Sequence, residues 1–410
     1  MLKELKKNHH ITYLTLDDGS AETDALEKAS EYAHETITIQ HQTAQKFSVK
    51  FYLELTGNLF SKLPYFMQKY VSKEMFEAVK KLANGKDFDV IVCDFLMPAV
   101  NMPEKIKVPI ILFQHNVEAM IWRRHFEVQK NPLKKKYLKN QWRKSFNYER
   151  AVCRKFDFVI AVSKEDADTM RNEYAVENVA DVPTGVDTEF FRPSLAVEKD
   201  SFNLIFTGSM DWLPNEDGML YFAREIFPRI RQQEPEATLS IIGRSPTPAV
   251  RRLGEDPAIE VTGRVDDVRP HVAAGSVYVV PLRIGGGTRL KIFEAMSMGK
   301  AVVSTTVGAE GLPVTHGADI FIADDPAGFA DAVVRLIRND RERQELEAAA
   351  RRLVVEQYDW SAVAHDFEDA LDRICSRTQS PAALQRTGHR GSGSVPAQER
   401  TDGTRLVGSI

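Results

Sequence analysis

Three glycines set between a strand and a helix constrain this chain most. Val280 to Leu312 reads VPLRIGGGTRLKIFEAMSMGKAVVSTTVGAEGL. Tyr278, Val279 and Val280 form a short apolar run suited to a buried parallel strand. Gly285, Gly286 and Gly287 end it and free the backbone to approach a ligand closely. Thr288 can cap the following helix, whose first turn carries Arg289 and Lys291. The positive end of a helix dipole disfavours a cation by about 0.3–1 kcal/mol, and a capping box would set Glu or Gln where Lys291 stands. Two cations, three glycines and the open amides of a helix start together suit a bound anion, most simply phosphate.

Lys291 and Glu294 are three residues apart and share a helix face, while Leu290, Phe293 and Met296 turn toward a core. Taken alone, the pair reads equally well as a solvated ion pair. Beside the glycine turn it reads as a cation at a phosphate and a carboxylate that accepts hydrogen bonds from ribose hydroxyls. The stretch lacks the G-K-[ST] ending of a P-loop and does not form G-x-G-x-x-G.

Apolar runs alternate with helical stretches along both halves of the 410 residues. Ile11–Leu16, Thr36–Ile39, Val90–Cys93, Pro109–Phe113 and Phe158–Val162 read as buried strands of a first lobe. Asn203–Phe206, Thr238–Ile242, Ile259–Val261, Val277–Val280 and Ala301–Ser304 read as those of a second. This is an α/β pattern with parallel sheets, hence two Rossmann-like lobes. Ligands of such sheets bind outside the carboxyl ends of the strands, where the glycine turn lies. Basic residues are mostly lysine up to Lys164 and mostly arginine afterwards, a switch near the junction of the halves. A net charge of -4 gives no case for nucleic acid. Cys93, Cys153 and Cys375 match no metal or redox spacing and suit a reducing cytoplasm. No signal peptide or bilayer-spanning apolar run stands out.

The GGGTRLKIFEAM stretch resembles the donor-site signature of the family-four (group 1) retaining glycosyltransferases, which have the two-lobed GT-B fold. Glu294 matches the second of two glutamates common there. The first falls on Gly286, so the chain resembles the GGGTRLK variant. FTGSMDWLPNEDG (Phe206–Gly218), SIIGRSP (Ser240–Pro246) and VTGRVDDVRP (Val261–Pro270) precede it in the family's order. FDFVIAVSKEDAD (Phe156–Asp168) and DVPTGVDTEFFRP (Asp181–Pro193) resemble the end of the N-terminal lobe, with Thr184 where Asn is common. The resemblance implies a nucleotide-diphosphate sugar as co-substrate, no metal or other cofactor, and a glycan or lipid-linked acceptor. It implies donor contacts from Gly208, Gly243, Arg244, Arg264, Val265, Gly286, Gly287, Thr288, Arg289, Leu290, Lys291 and Glu294, with Glu294 and His115 as catalytic residues. His115, in LFQHN after the Pro109–Phe113 strand, matches a donor-contacting histidine; a lone histidine is otherwise usually structural. Where many relatives set Arg and Lys after the first strand of the second lobe, this chain has Gly208, Ser209, Met210 and Asp211, so Arg289 and Lys291 are expected to compensate.

These readings organise the chain as an N-terminal acceptor-side lobe over 1–182, a linker over 183–201 and a nucleotide-sugar lobe over 202–357. A terminal helix over 358–376 crosses back, and a tail over 377–410, rich in Gly, Ser, Thr, Pro, Gln and Arg, is expected to be disordered. MLKELKKNHHITYLTL opens in a helix end that runs into the family's second strand, so the first lobe is expected to lack its central first strand. That favours, beside the transferase reading, an impaired nucleotide-sugar-binding protein or an N-terminally truncated fragment. A sugar-nucleotide epimerase of the same fold is a further alternative, against which the GGGTRLKIFEAM pattern counts. Arg123 to Lys144 interleaves basic residues with Phe126, Tyr137 and Trp142. It reads equally as a solvated helix with its aromatics turned in or as a peripheral contact with the anionic inner face of the membrane.

Overall fold

The structure, a computed structural model, describes residues 1–19, 24–44, 48–85, 88–129, 131–194, 196–284, 290–378 and 405–409. The chain divides into two compact units: Met1–Pro183 with Ala364–Ile410, and Thr184–Val363. The strands are β1 (His10–Asp17), β2 (Glu35–Gln40), β3 (Val90–Asp94), β4 (Ile110–Gln114), β5 (Phe158–Ala161), β6 (Val179–Asp181), β7 (Asn203–Thr207), β8 (Thr238–Ile242), β9 (Ile259–Gly263), β10 (Val277–Val280), β11 (Ala301–Ser304), β12 (Phe321–Ile322) and β13 (Arg405–Ser409). The ten apolar runs read from the sequence each became a strand, within two residues at either end. Valine- and isoleucine-rich stretches such as VIVCD and VYVV are buried along most of their length, as strands covered on both faces must be.

In the second unit the sheet order is β12-β11-β10-β7-β8-β9, and all pairs are parallel. Strand order grows outward from β7 in both directions, so the topological switch point, where a crevice opens at the carboxyl ends, lies between β7 and β10. One continuous core that includes Phe206, Phe222, Phe293 and Phe329 packs both faces.

The first unit's sheet runs β2-β1-β13-β3-β4-β5-β6, also parallel throughout. Here the sequence reading is corrected. The expected gap at the centre of the sheet is filled by β13, from the tail expected to be disordered; 379–404 lie outside the described residues. β13 pairs with β1 (Ile11 opposite Leu406) and with β3 (Val90 opposite Leu406). Counted first, it restores the doubly wound order on which β1 and β3 depend. The driving force is the backbone itself. Two strand edges facing each other across a one-strand gap would leave buried N–H and C=O groups unpaired.

The helix Trp360–Thr378 returns the chain to the first unit at Ala364, inside the helix and not at its start. Its first residue stays with the second unit: Trp360 lies so close to Gly185 that an added Cβ there would sit 2.6 Å from the indole ring.

If β13 holds the first unit's sheet together, Val407→Pro should open it, because proline removes a ladder donor. Amide exchange at Ile11–Leu14 and Val90–Cys93 should accelerate, and the unit's melting temperature should fall by about 5 °C or more. Unchanged exchange at both strands would show that β13 does not occupy the gap.

Candidate active site

At the carboxyl end of β7 the chain turns through Gly208, and at that of β8 through Gly243. A Cβ on Gly243 would collide with the Gly208 carbonyl; one on Gly208 would lie 2.6 Å from Asn215 Nδ2 and 2.9 Å from Lys291 Nζ. Glycine is needed at both positions because backbone and an ammonium approach so closely. The turns are cross-tied, the Gly208 N–H donating to the Ile242 carbonyl (3.0 Å) and the Met210 N–H to the Arg244 carbonyl (2.9 Å).

Lys291, in the helix Leu290–Ser297 that follows β10, reaches back over the switch point. Its Nζ donates to the Thr207 carbonyl (2.9 Å) and to Asn215 Oδ1 (2.8 Å), and lies 4.2 Å from the centre of the Phe206 ring. Asn215 is buried and donates from Nδ2 to the Ser209 carbonyl (2.9 Å). The Thr207 and Tyr278 hydroxyls hydrogen-bond to each other, joining β7 to β10. A cation therefore stands beside Gly208, in a turn that has none of its own through Asp211.

The glycine turn itself, with Gly286, Gly287, Thr288 and Arg289, lies outside the described residues. Its flanks do not. On one side Arg283 pairs with Asp217 (3.0 and 2.6 Å) and lies 4.3 Å over the Tyr221 ring. On the other, Lys291 holds Asn215. Both anchors belong to one helix, Leu213–Tyr221, so the two ends of the turn are fixed to the same support.

Glu294 is half-buried on the same helix as Lys291. Burial pushes its carboxyl up, and the Lys291 charge opposes the shift. The Tyr278 hydroxyl is pushed up by burial and, in part, by the Glu294 charge. Glu294 is thus no solvated surface group. Leu290 is half-buried at the helix start, while Phe293 and Met296 are in the core. Arg244 Nε donates to Ser209 Oγ (3.0 Å), which donates to Asp211 Oδ1 (2.6 Å) and holds that carboxyl below its ordinary value. The structure thereby brings Gly208, Gly243, Arg244, Lys291 and Glu294 to one sheet edge. Arg264 is exposed and Val265 packs on the core in the loop after β9, the outermost strand, two strands from β7.

In the first unit, His115 follows β4 at its carboxyl end. Its Nε2 lies 2.6 Å from Asp94 Oδ1, its ring stacks on Phe95 at 3.9 Å between centres, and Phe113 packs at 4.4 Å. Phe95 has φ +68°, a left-handed conformation that costs an L-residue about 1–2 kcal/mol. That backbone turn lays the aromatic ring against the imidazole. The loop carrying His115 is fixed from below by the fully buried Glu149. Its Oε1 accepts from Gln114 Nε2 (2.5 Å) and the Glu118 N–H (2.9 Å), and its Oε2 from the Ala119 N–H (2.8 Å) and the Tyr174 hydroxyl (2.9 Å). Burial pushes the Glu149 carboxyl up to about 7, against the pull of these donors.

Thr207 and Asn215 in one unit, and Asp94, Phe95 and Glu149 in the other, were not singled out in the sequence, and Tyr278 was read only as part of a buried strand. Asn215 carries the one available signal, an amide at the start of a helix in DWLPNEDG. The others act through three-dimensional contacts that leave no spacing pattern.

Two family models match the chain in tandem: Glycosyltransferase Family 4 over residues 2–190 and Glycosyl transferases group 1 over residues 201–339. A Klebsiella pneumoniae protein, the uncharacterized 44.6 kDa protein in the cps region, is 22% identical over 295 residues, 68% of this chain and 74% of that protein. The phosphatidyl-myo-inositol mannosyltransferase of Mycobacterium leprae is 30% identical over 208 residues, 48% of this chain; the chain spans 54% of that relative's length. Among solved structures, Anabaena HepE in complex with UDP superposes with a TM-score of 0.61 at 12% identity, over 89% of this chain and 100% of that one. At that identity the likeness speaks for the fold. The two doubly wound units and these neighbours show the GT-B fold, and the two models, each matching less than half of the chain, show a first half similar to glycosyltransferase family 4 and a second half similar to the group 1 glycosyl transferases.

Proposed function

We propose that the protein transfers a sugar, with retention of configuration, from a nucleoside-diphosphate donor to a glycan or lipid-linked acceptor. The carrying observation is the Lys291 ammonium at the switch point beside Gly208, with the half-buried Glu294 three residues along the same helix. Diphosphate oxygens at this edge meet a cation and the start of the Leu290–Ser297 helix, whose backbone dipole favours anions. Charge that develops on the leaving diphosphate is then stabilised by groups already in position, with no metal required. Glu294 accepts the ribose hydroxyls, which favour its ionised form. His115, its ring fixed by Asp94 and Phe95, contacts the donor sugar and acts in the transfer step. UDP is the first nucleotide to test, because HepE holds it. The mannosyltransferase activity of the Mycobacterium leprae relative supports a hexosyl donor and a lipid-linked acceptor.

Glu294→Ala should weaken UDP binding in titration calorimetry by about 1.5–3 kcal/mol, the range for hydrogen bonds to a charged group. Unchanged affinity would return Glu294 to a structural role.

The same carboxyl makes a stability prediction with a definite sign. Its folded-state pKa is raised above the unfolded value, so ionising it costs stability; the cost is absent at low pH and grows as pH rises past the ordinary glutamate range. Ligand-free Glu294→Gln should therefore be more stable than wild type at about pH 7.5, and the difference should close near about pH 4. A variant less stable than wild type at the higher pH would contradict the burial of a costly charge.

His115→Ala should lower turnover about 100-fold while leaving UDP affinity within about threefold, as expected for a contact made in the transition state. Wild-type turnover in a radiolabelled-sugar transfer assay would make the histidine structural.

A further inference from the structure

The carboxyl under the His115 loop is met by no cation among the described residues. Glu149, in the helix Pro132–Cys153, is fully buried. Its two oxygens accept only from neutral donors: Gln114 Nε2, the Glu118 and Ala119 N–H groups, and the Tyr174 hydroxyl. Glu118 and Ala119 open the helix Glu118–Val128, so the carboxylate stands at the positive end of that helix's dipole and satisfies its first free amides. The titratable groups around it are Glu118 on that helix, whose charge opposes its own, Cys153 on its own helix, and Tyr174 with the neighbouring Glu173. The cation on the Tyr174 side, Arg154, donates from Nε to the Tyr174 carbonyl (2.7 Å), and His115 is paired with Asp94.

An ionised carboxylate offers about four acceptor positions, and all of them are taken here. A proton can be added only by rearranging one contact, because the new O–H needs an acceptor of its own. The cluster holds one. Gln114 Oε1 is buried and has no hydrogen-bond partner among the described residues, a condition that carries a desolvation cost. Turning the Gln114 amide over brings Oε1 to the carboxyl, where it accepts from a protonated Glu149 in place of Nε2 donating to an ionised one. Two hydrogen-bonding patterns thus differ by one proton, and the side chain that turns between them is the immediate neighbour of His115. Burial pushes the carboxyl up and the donors pull it down, which leaves it at about 7.

We propose that Glu149 is a positioning residue for His115 and that its proton state sets the geometry of residues 114–119. Ionised, it holds the start of the Glu118–Val128 helix and the Gln114 side chain together. Protonated, it gives up the Gln114 donor and lets that amide turn. The assignment rests on the reading of His115 as a group that acts in the transfer step.

The amide resonances of Glu118 and Ala119 in the isotope-labelled full chain, followed from about pH 5.5 to about pH 8.5, test it. Both should titrate with a midpoint at about pH 7, in wild type and in His115→Ala alike, and should stay fixed in Glu149→Gln. Tyr174→Phe removes one donor to the ionised carboxyl and should raise the midpoint by about one pH unit, a readout that does not depend on Glu149→Gln folding. Wild-type turnover should fall about tenfold from about pH 8 to about pH 6, following the ionised fraction. In Glu149→Gln it should remain at the low level throughout. Resonances that do not move, or that move alike in Glu149→Gln, would overturn the inference, as would an unchanged turnover profile in that variant. The two readings fail separately: wild-type turnover in His115→Ala removes the transfer role of the histidine, whereas the amide titration judges Glu149 whatever His115 does.

Discussion

The Lys291 ammonium is bonded to the end of one strand although its own helix follows another. A lysine in the first turn of a helix sits at the wrong end of the dipole, and half-burial adds a desolvation cost. Both are offset because Nζ finds the Thr207 carbonyl and the Asn215 side chain. Those acceptors are reachable because Gly208 has no side chain. Everything else at the second unit's edge follows from this bond. It joins β7 to the helix after β10 across the switch point, fixes the near flank of the glycine turn, and sets Glu294 where burial raises its carboxyl. Arg283 and Asp217 fix the other flank to the same helix. The residues on both sides of the glycine turn are thereby tied to one helix, an arrangement that suits a ligand-binding loop on a rigid scaffold.

The first unit solves its own problem with different means. His115 is held by a carboxylate on Nε2, by an aromatic ring on its face, and by a buried glutamate under its loop. Two of these supports are costly in isolation: a left-handed phenylalanine and a carboxyl with no access to water. Such costs concentrate where geometry matters more than stability. The central strand is costly in another way, because β13 is recruited from the far end of the chain to close the sheet.

The strands were legible because parallel strands buried on both faces write continuous apolar runs, as in VIVCD or AVVS. β6 and β12 escaped because three and two residues are too short for a run. β13 escaped because a five-residue strand in a polar, glycine-rich tail has no local signal; only the unpaired edges of β1 and β3 call for it. At the site, the glycine turn, Lys291 and Glu294 could be read from charge placement against the helix dipole, and His115 from its position after a strand. What Lys291 bonds to could not, since Thr207 and Asn215 lie 84 and 76 residues away in sequence. The same holds for Asp94 beneath His115.

The central claim is that a nucleoside diphosphate binds at the carboxyl edge of the second unit, around the switch point between β7 and β10. Hydrogen exchange with and without saturating UDP tests it most directly, because it maps the site without presupposing a reaction. The account predicts protection concentrated at Thr207–Asn215, Gly243–Arg244 and Leu290–Ser297, with β12 and its loop unchanged. Protection confined to the first unit, or none under conditions where calorimetry records binding, would contradict it.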